Sequence, residues 1–186
     1  MAFHFTKLAI PDVVSVQPDR YPDKRGFFME VFKDSIFREW GLTDRFVQIS
    51  HTCSRKNVIR GLHYQMNPKP QGKLVRAVVG EVFDVAVDIR RGSPNFGKWV
   101  GQVLSAEKKN LLWIPVGFAH GYCVLTEDSE VAYYCTEEWA PDCERGIIWN
   151  DPEINIEWPS QEPIISEKDA QNQSLADADI NYEYEK

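Results

Sequence analysis

The chain has 186 residues, a length that suits one domain, and 43% of them are hydrophobic, enough for a sizeable core. Its 28 acidic against 21 basic residues leave a net charge of −7, which argues against DNA or RNA as the main partner but leaves room for a small phosphorylated ligand on a local Arg and Lys cluster. No apolar run has the length of a membrane span, the opening M-A-F-H-F-T-K lacks a signal-peptide pattern, and the four cysteines form no C-x-x-C pair, as expected of reduced thiols in a cytoplasmic protein.

The predicted elements are mostly short strands with turn residues between them. Residues 3–8 and 13–16 read as strands around Pro11-Asp12, and 19–26 as a polar loop. Residues 27–32 read as a strand carrying Glu30. Residues 34–40 read as a helix that Asp34 or Ser35 caps and Gly41 ends, with Ile36, Phe37 and Trp40 as its packing stripe. A strand follows at 46–54.

The central stretch, N-V-I-R-G-L-H-Y-Q-M-N-P-K-P-Q-G-K at 57–73, reads as a strand at 58–65 and a turn at 66–72. Pro68 and Pro70 cannot donate to a ladder, and Gly72 frees the backbone. A second strand at 73–79 makes the expected unit a hairpin that brings His63 and Lys73 to one mouth of a sheet. Strict alternation would put Arg60 and His63 on opposite faces. Gly61 is therefore predicted to carry a bulge or a strong twist.

Residues 81–90 alternate cleanly, with Phe83, Val85, Val87 and Ile89 on one face and Asp84 and Asp88 on the other. A turn at 92–95 leads to strands at 98–104, 111–114, 120–126 and 130–136. Roughly ten short strands point to an all-β sandwich or barrel, with a jelly roll as the natural candidate. After Asp151 the chain is acidic and polar, with a capped helical turn expected at 166–170 and a mobile end from about 174. The whole of 1–186 is expected to form one domain.

His63 is the first chemical candidate, because His moves protons near neutral pH and a nearby ammonium such as Lys73 stabilises an oxyanion. A lone His on a strand is more often structural, but Arg60 and Lys73 stand in the same stretch. His120, after the Pro115 and Gly117 turn, is a second candidate for the same mouth. Tyr133 and Tyr134 are adjacent, so one faces inward, where a tyrosine can act as a general acid. Asp84 and Asp88 are the carboxylates best placed for buried pairing. The H-x-H arrangement of many metal-binding barrels is missing, since position 65 is Gln65, so a metal is not expected. No phosphate loop, nucleophile elbow or dinucleotide fingerprint is present.

R-G-L-H-Y-Q at 60–65, Q-G-K-L-V at 71–75, G-E-V-F-D-V-A-V-D-I-R-R-G-S-P at 80–94 and I-P-V-G-F-A-H-G at 114–121 closely resemble the dTDP-4-dehydrorhamnose 3,5-epimerases, as do D-K-R-G-F-F-M-E-V-F at 23–32 and S-E-K-D at 166–169. The resemblance implies a cupin-type jelly roll with a few short helices, a homodimer, and cofactor-free epimerisation of a dTDP-linked 4-keto-6-deoxy sugar at C3 and C5. It implies His63 as base with Asp169 as its partner acid, Lys73 as enolate stabiliser and Tyr133 as the opposing acid. It carries substrate contacts onto Arg25, Glu30, Gln48, Ser50, Arg60, Lys73, His120, Glu144 and Lys168. Arg25 and Arg60 suit a pyrophosphate. Two departures bear on specificity. Ser50 stands where the family usually has Asn, and Glu138-Trp139 stands where it has an aromatic pair. A mono-epimerase on a related sugar, a metal-dependent cupin and a non-catalytic sugar-binding cupin are the competing expectations.

Overall fold

Short runs with period-2 burial dominate the chain, and they become strands wherever two faces need covering. The computed structural model describes residues 2–184. In chain order the elements are β1 (Phe3–Lys7), β2 (Val14–Pro18), β3 (Tyr21–Asp23), β4 (Gly26–Phe28), α1 (Asp34–Glu39), β5 (Gln48–Arg55), β6 (Ile59–Gln65), β7 (Lys73–Val79), β8 (Glu81–Asp88), β9 (Trp99–Ser105), β10 (Leu111–Ile114), β11 (Phe118–Val124), β12 (Asp128–Cys135), β13 (Glu144–Gly146) and α2 (Glu167–Ala170).

Six strands form one sheet in the order β1-β2-β10-β7-β12-β5, and five form a second in the order β13-β6-β11-β8-β9. All neighbours in both sheets are antiparallel. From β5 to β8, and again from β10 to β12, each strand lies in the opposite sheet from the one before it. This is the expected jelly roll. It also corrects one expectation: β6 and β7 do not form a hairpin. β6 pairs laterally with β11 and β13, and β7 with β10 and β12. His63 and Lys73 therefore approach from facing sheets.

Three apolar clusters hold these layers. Val75, Val82, Leu104, Leu112, Phe118 and Val131 belong to the one between the two sheets. On the outside of the larger sheet, Phe37 of α1 packs with Leu74, Leu111 and Trp113, and Ile36 and Trp40 join them. On the outside of the smaller sheet, Leu62, Val85, Val87, Ile89 and Ile147 meet Leu175, Ala178, Ile180 and Tyr182. The segment from 174, expected as a mobile end, is thus a packed cover. Tyr182 Oη donates to the Gln65 carbonyl, the Arg91 amide donates to the Tyr182 carbonyl, and the Arg91 carbonyl accepts from the Tyr184 amide.

Smaller differences concern the ends of elements. The polar run at 19–26 turns back as a hairpin of β3 and β4, so the strand expected at 27–32 ends at Phe28 and Glu30 lies outside it. α1 has Lys33 rather than Asp34 or Ser35 at its N-cap, with no side-chain cap, whereas Gly41 follows the helix at φ 96° as expected. α2 is capped as expected, Ser166 Oγ accepting from the Asp169 amide at 3.0 Å.

Candidate active site

The site begins with an irregularity in β6. Against β11, His63 pairs with His120 and Arg60 pairs with Tyr122, so the register shifts across Gly61 and Leu62. Gly61 sits at φ 134°, and a Cβ there would lie 2.5 Å from Gly121 Cα and 2.9 Å from the His120 carbonyl. Only glycine fits this approach. The shift turns Arg60 and His63 to the same side, as the sequence predicted.

Both then line a cavity of about 190 Å³ between the sheets. The smaller sheet contributes Arg60, His63, His120, Tyr122 and Glu144, and the larger contributes Thr52, Lys73 and Tyr133. The space is too small for a whole nucleotide sugar. A second cleft of about 430 Å³ shares Arg60 and His63 and is bounded by Ile164, Ser166, Lys168 and Asp169.

His63 Nε2 lies 2.7 Å from Asp169 Oδ1, and Asp169 is buried. The other carboxylate oxygen accepts from the Gly61 amide at 3.3 Å. Burial pushes the Asp169 carboxyl up, but hydrogen bonds and charge from His63, with the Gly61 and Ser166 contacts, outweigh it and hold it below the ordinary range. The carboxylate fixes the ring and leaves Nδ1 free to exchange a proton.

His120 and Asp84 form a second, fully buried pair, with Nε2 at 3.1 and 3.0 Å from the two carboxylate oxygens. Burial lowers the His120 pKa against the opposing pull of Asp84, with Lys73 and His63 adding to the lowering. The ring is neutral near pH 7 and its Nε2–H donates to Asp84. The other expected buried carboxylate, Asp88, pairs with Arg90 at 2.6 Å and Ser93 at 2.7 Å, outside the cavity lining.

Lys73 is buried and has no carboxylate in salt-bridge range among the described residues. Burial lowers its pKa, with Cys135, Asp84 and Glu144 pulling the other way. Its ammonium stands 6.0 Å from the centre of the Tyr133 ring. Tyr133 faces the cavity, while Tyr134 packs outward on Phe46. Burial raises the Tyr133 phenol, helped by Cys135 and Glu144 and opposed by Ser50 and Arg60.

The remaining predicted residues divide. Glu144 lines the cavity and pairs with Lys168 at 2.6 Å, and this pairing outweighs burial to hold the carboxyl low. Gln48 and Ser50 lie on β5, where Gln48 Nε2 donates to Ser50 Oγ at 3.0 Å and Gln48 Oε1 accepts from the Trp139 amide at 2.9 Å. Arg25 and Glu30 are not brought to the cavity of their own chain. Arg25 is exposed and pairs with Asp23 of the same hairpin, and Glu30 Oε2 is buried without a partner among the described residues. Two lining residues had no place among the sequence candidates, Thr52 and Tyr122, whose hydroxyls are 2.8 Å apart. No group of three His, Cys, Asp or Glu side chains suited to a metal occurs among the described residues.

The profile of a family described as dTDP-4-dehydrorhamnose 3,5-epimerase matches residues 7–177. A protein of that name from Shigella flexneri is 56% identical over 174 residues, 93% of this chain and 96% of that protein. The crystal structure of a dTDP-6-deoxy-D-glucose-3,5-epimerase from Legionella pneumophila Philadelphia 1, in complex with dTDP-4-keto-L-rhamnose, is similar at TM-score 0.96 and 44% identity, over 100% of both chains. A 3′-monoepimerase from Streptomyces bikiniensis, in complex with dTDP-quinovose, is similar at TM-score 0.86 and 32% identity, over 91% of this chain and 86% of that one.

Proposed function

The chain belongs to the dTDP-4-dehydrorhamnose 3,5-epimerase family, and from that premise we propose how its residues perform the reaction. It is a carbohydrate isomerase that inverts C3 and C5 of a dTDP-4-keto-6-deoxy-hexose, converting dTDP-4-dehydro-6-deoxy-D-glucose into dTDP-4-dehydro-L-rhamnose. The observation that carries the residue roles is that His63 and Tyr133 line one small cavity from opposite sheets, with Lys73 beside Tyr133.

The C4 ketone acidifies the hydrogens on C3 and C5. His63 takes the proton from one of these carbons, and the electron pair moves to O4 as an enolate. Lys73 stabilises the developing charge, a role strengthened by the low dielectric of its burial. The enolate collapses and the carbon takes the Tyr133 proton from the other face, so the centre inverts. Solvent then returns a proton to the phenolate and removes one from His63, and the second centre follows. Each positioned proton transfer contributes about 10²–10⁴-fold.

The cavity takes the sugar, and the nucleotide lies outside it against Arg60, Gln48, Ser50, Glu144 and Lys168, with His120 on the sugar. Arg25 and Glu30 contribute from a second copy. The β3–β4 hairpin exposes Tyr21, Phe27 and Phe28, apolar area that a homodimer would cover. The four free thiols suit a reducing cytoplasm. One jelly-roll domain carries the whole activity.

The test is solvent exchange. The protein is incubated in D₂O with dTDP-4-keto-6-deoxyglucose and followed by NMR, with His63→Ala beside it. Deuterium at both C3 and C5, lost in the variant, is expected. Exchange at one carbon alone would replace this reading by a mono-epimerase.

A further inference from the structure

β5 turns a polar row toward the cavity. Its cavity-side row is Gln48, Ser50, Thr52 and Ser54, all polar and partly or fully buried, while Ile49 on the outer row is 65% exposed. A strand normally turns its apolar row inward. Each inward hydroxyl has a specific neighbour. Arg60 Nε donates to Ser54 Oγ at 2.9 Å. Thr52 Oγ1 and the Tyr122 hydroxyl share a hydrogen bond of 2.8 Å. Ser50 is the direct cross-strand partner of Tyr133, and its Oγ accepts from Gln48 Nε2 at 3.0 Å. Three hydroxyls spaced about 7 Å apart along one strand thus meet three side chains that line the cavity.

We propose that the row Ser50, Thr52 and Ser54 is a positioning device for the epimerisation, in which each hydroxyl fixes one cavity group: Tyr133, Tyr122 and Arg60. This rests on the roles assigned above to Tyr133 and Arg60, and it adds Tyr122 as a cavity-wall group held in place. The physical need is clear. Phenol rings and guanidinium stems have rotamer freedom, and a site is effective only when its groups are held within a fraction of an ångström. The bonds to Tyr122 and Arg60, and the cross-strand hydroxyl beside Tyr133, restrict that freedom without filling a space of only about 190 Å³. The assignment also changes the part played by Gln48, whose amide is already engaged at both ends by Ser50 and Trp139. Ser50 further opposes the rise that burial imposes on the Tyr133 phenol. The charged and titratable groups around that phenol are Lys73 from β7, Arg60 from β6, Glu144 from β13 and Cys135 from β12.

The test compares the full-length protein with Ser50→Ala, Thr52→Val, Thr52→Ser and Ser54→Ala. Tyrosines carrying ¹³C at Cζ report each phenol by NMR titration, and deuterium exchange gives kcat and KM. One lost hydrogen bond is worth about 5–10-fold. Ser50→Ala is expected to move the Tyr133 titration upward and lower kcat by about this factor. Ser54→Ala is expected to raise KM by a similar factor at unchanged kcat. Thr52→Val is expected to shift the Tyr122 resonance and lower kcat/KM, and Thr52→Ser to restore both. An unmoved Tyr133 titration in Ser50→Ala, or equal losses in all variants that track the melting temperature, would overturn the proposal. Titrations that move as stated while exchange stays unchanged would uphold the positioning and overturn the acid role of Tyr133.

Discussion

Both carboxylate oxygens of Asp84 lie within 3.1 Å of His120 Nε2, and both residues are buried. The carboxylate selects the Nε2–H tautomer and leaves Nδ1 as an acceptor. Charge makes this bond about 1–2 kcal/mol stronger than a neutral one. Asp84→Asn keeps the shape and removes the charge. Loss of about 1–2 kcal/mol in urea unfolding is expected, together with a mixture of His120 tautomers in ¹⁵N NMR. A single Nε2–H tautomer in the variant would show that Asp84 does not select it.

The His63–Asp169 pair predicts a pH signature. The Asp169 carboxyl is held below its ordinary value in the folded protein, so between that lowered value and about 3.9 the unfolded chain binds more protons. The stabilisation is therefore complete above the unfolded pKa and is lost as pH falls through the folded one. In Asp169→Asn the melting temperature should fall less steeply below about pH 4, and C3 and C5 exchange should drop by about 10² or more as the ring loses its orientation. A variant with the parent's acid slope would remove Asp169 as the source.

If Lys73 stabilises the enolate as proposed, its burial sets stability against activity. A buried ammonium without a carboxylate partner costs several kcal/mol, and methionine has similar length without the charge. Lys73→Met is expected to raise the melting temperature while lowering exchange by about 10²–10³. Burial holds the Lys73 pKa below 10.5, so the unfolded chain binds the extra proton between the two values. This penalty is present at neutral pH and is relieved as pH rises through the folded pKa. The stability gain of the variant should shrink in that direction, and an equal gain at all pH values would count against the buried charge.

How much of this was legible in the sequence depended on whether the signal was local. The alternation of 81–90 and the stop at Gly41 are local, and both read correctly. So did the irregularity at Gly61, because Arg60 and His63 could not otherwise share a face. The β6–β7 relation was not local. A seven-residue connection with two prolines permits a hairpin or a crossover, and the lateral partners β10, β11, β12 and β13 decide between them. β13 is three residues long and has no period to detect. The segment from 174 hid four buried apolar residues in acidic surroundings. Thr52 was legible in principle, through the polar row at 48, 50, 52 and 54, but only once the cavity side of β5 is known, whereas Tyr122 on β11 carried no local signal.

The packed cover at the C-terminus gives a stability prediction. Leu175 is 4% exposed and lies among Val85, Val87 and Ile147 on the outside of the smaller sheet. Its amide donates to Asp151 Oδ2 at 2.8 Å. Leu175→Ala should cost about 2–5 kcal/mol in denaturant unfolding, from the lost transfer term and the cavity left behind. A cost below 0.5 kcal/mol, the usual range for a surface change, would mean that this segment is not part of the folded core.

Gly61 ties the fold to the chemistry most directly. Its Cα faces Gly121 across β6 and β11, and each glycine leaves no room for a side chain at the other: a Cβ on Gly121 would lie 2.8 Å from the Arg60 carbonyl. Gly61→Ala adds a methyl group against backbone on both sides and strains a φ of 134°. The register shift should relax, moving the His63 ring away from Asp169. The expected result is a folded protein, less stable by about 1–3 kcal/mol, with C3 and C5 exchange lost almost as completely as in His63→Ala. The ¹⁵N signals of His63 report the outcome directly. If they stay unchanged and exchange continues at the parent rate, the shift at Gly61 is not what turns His63 toward the cavity.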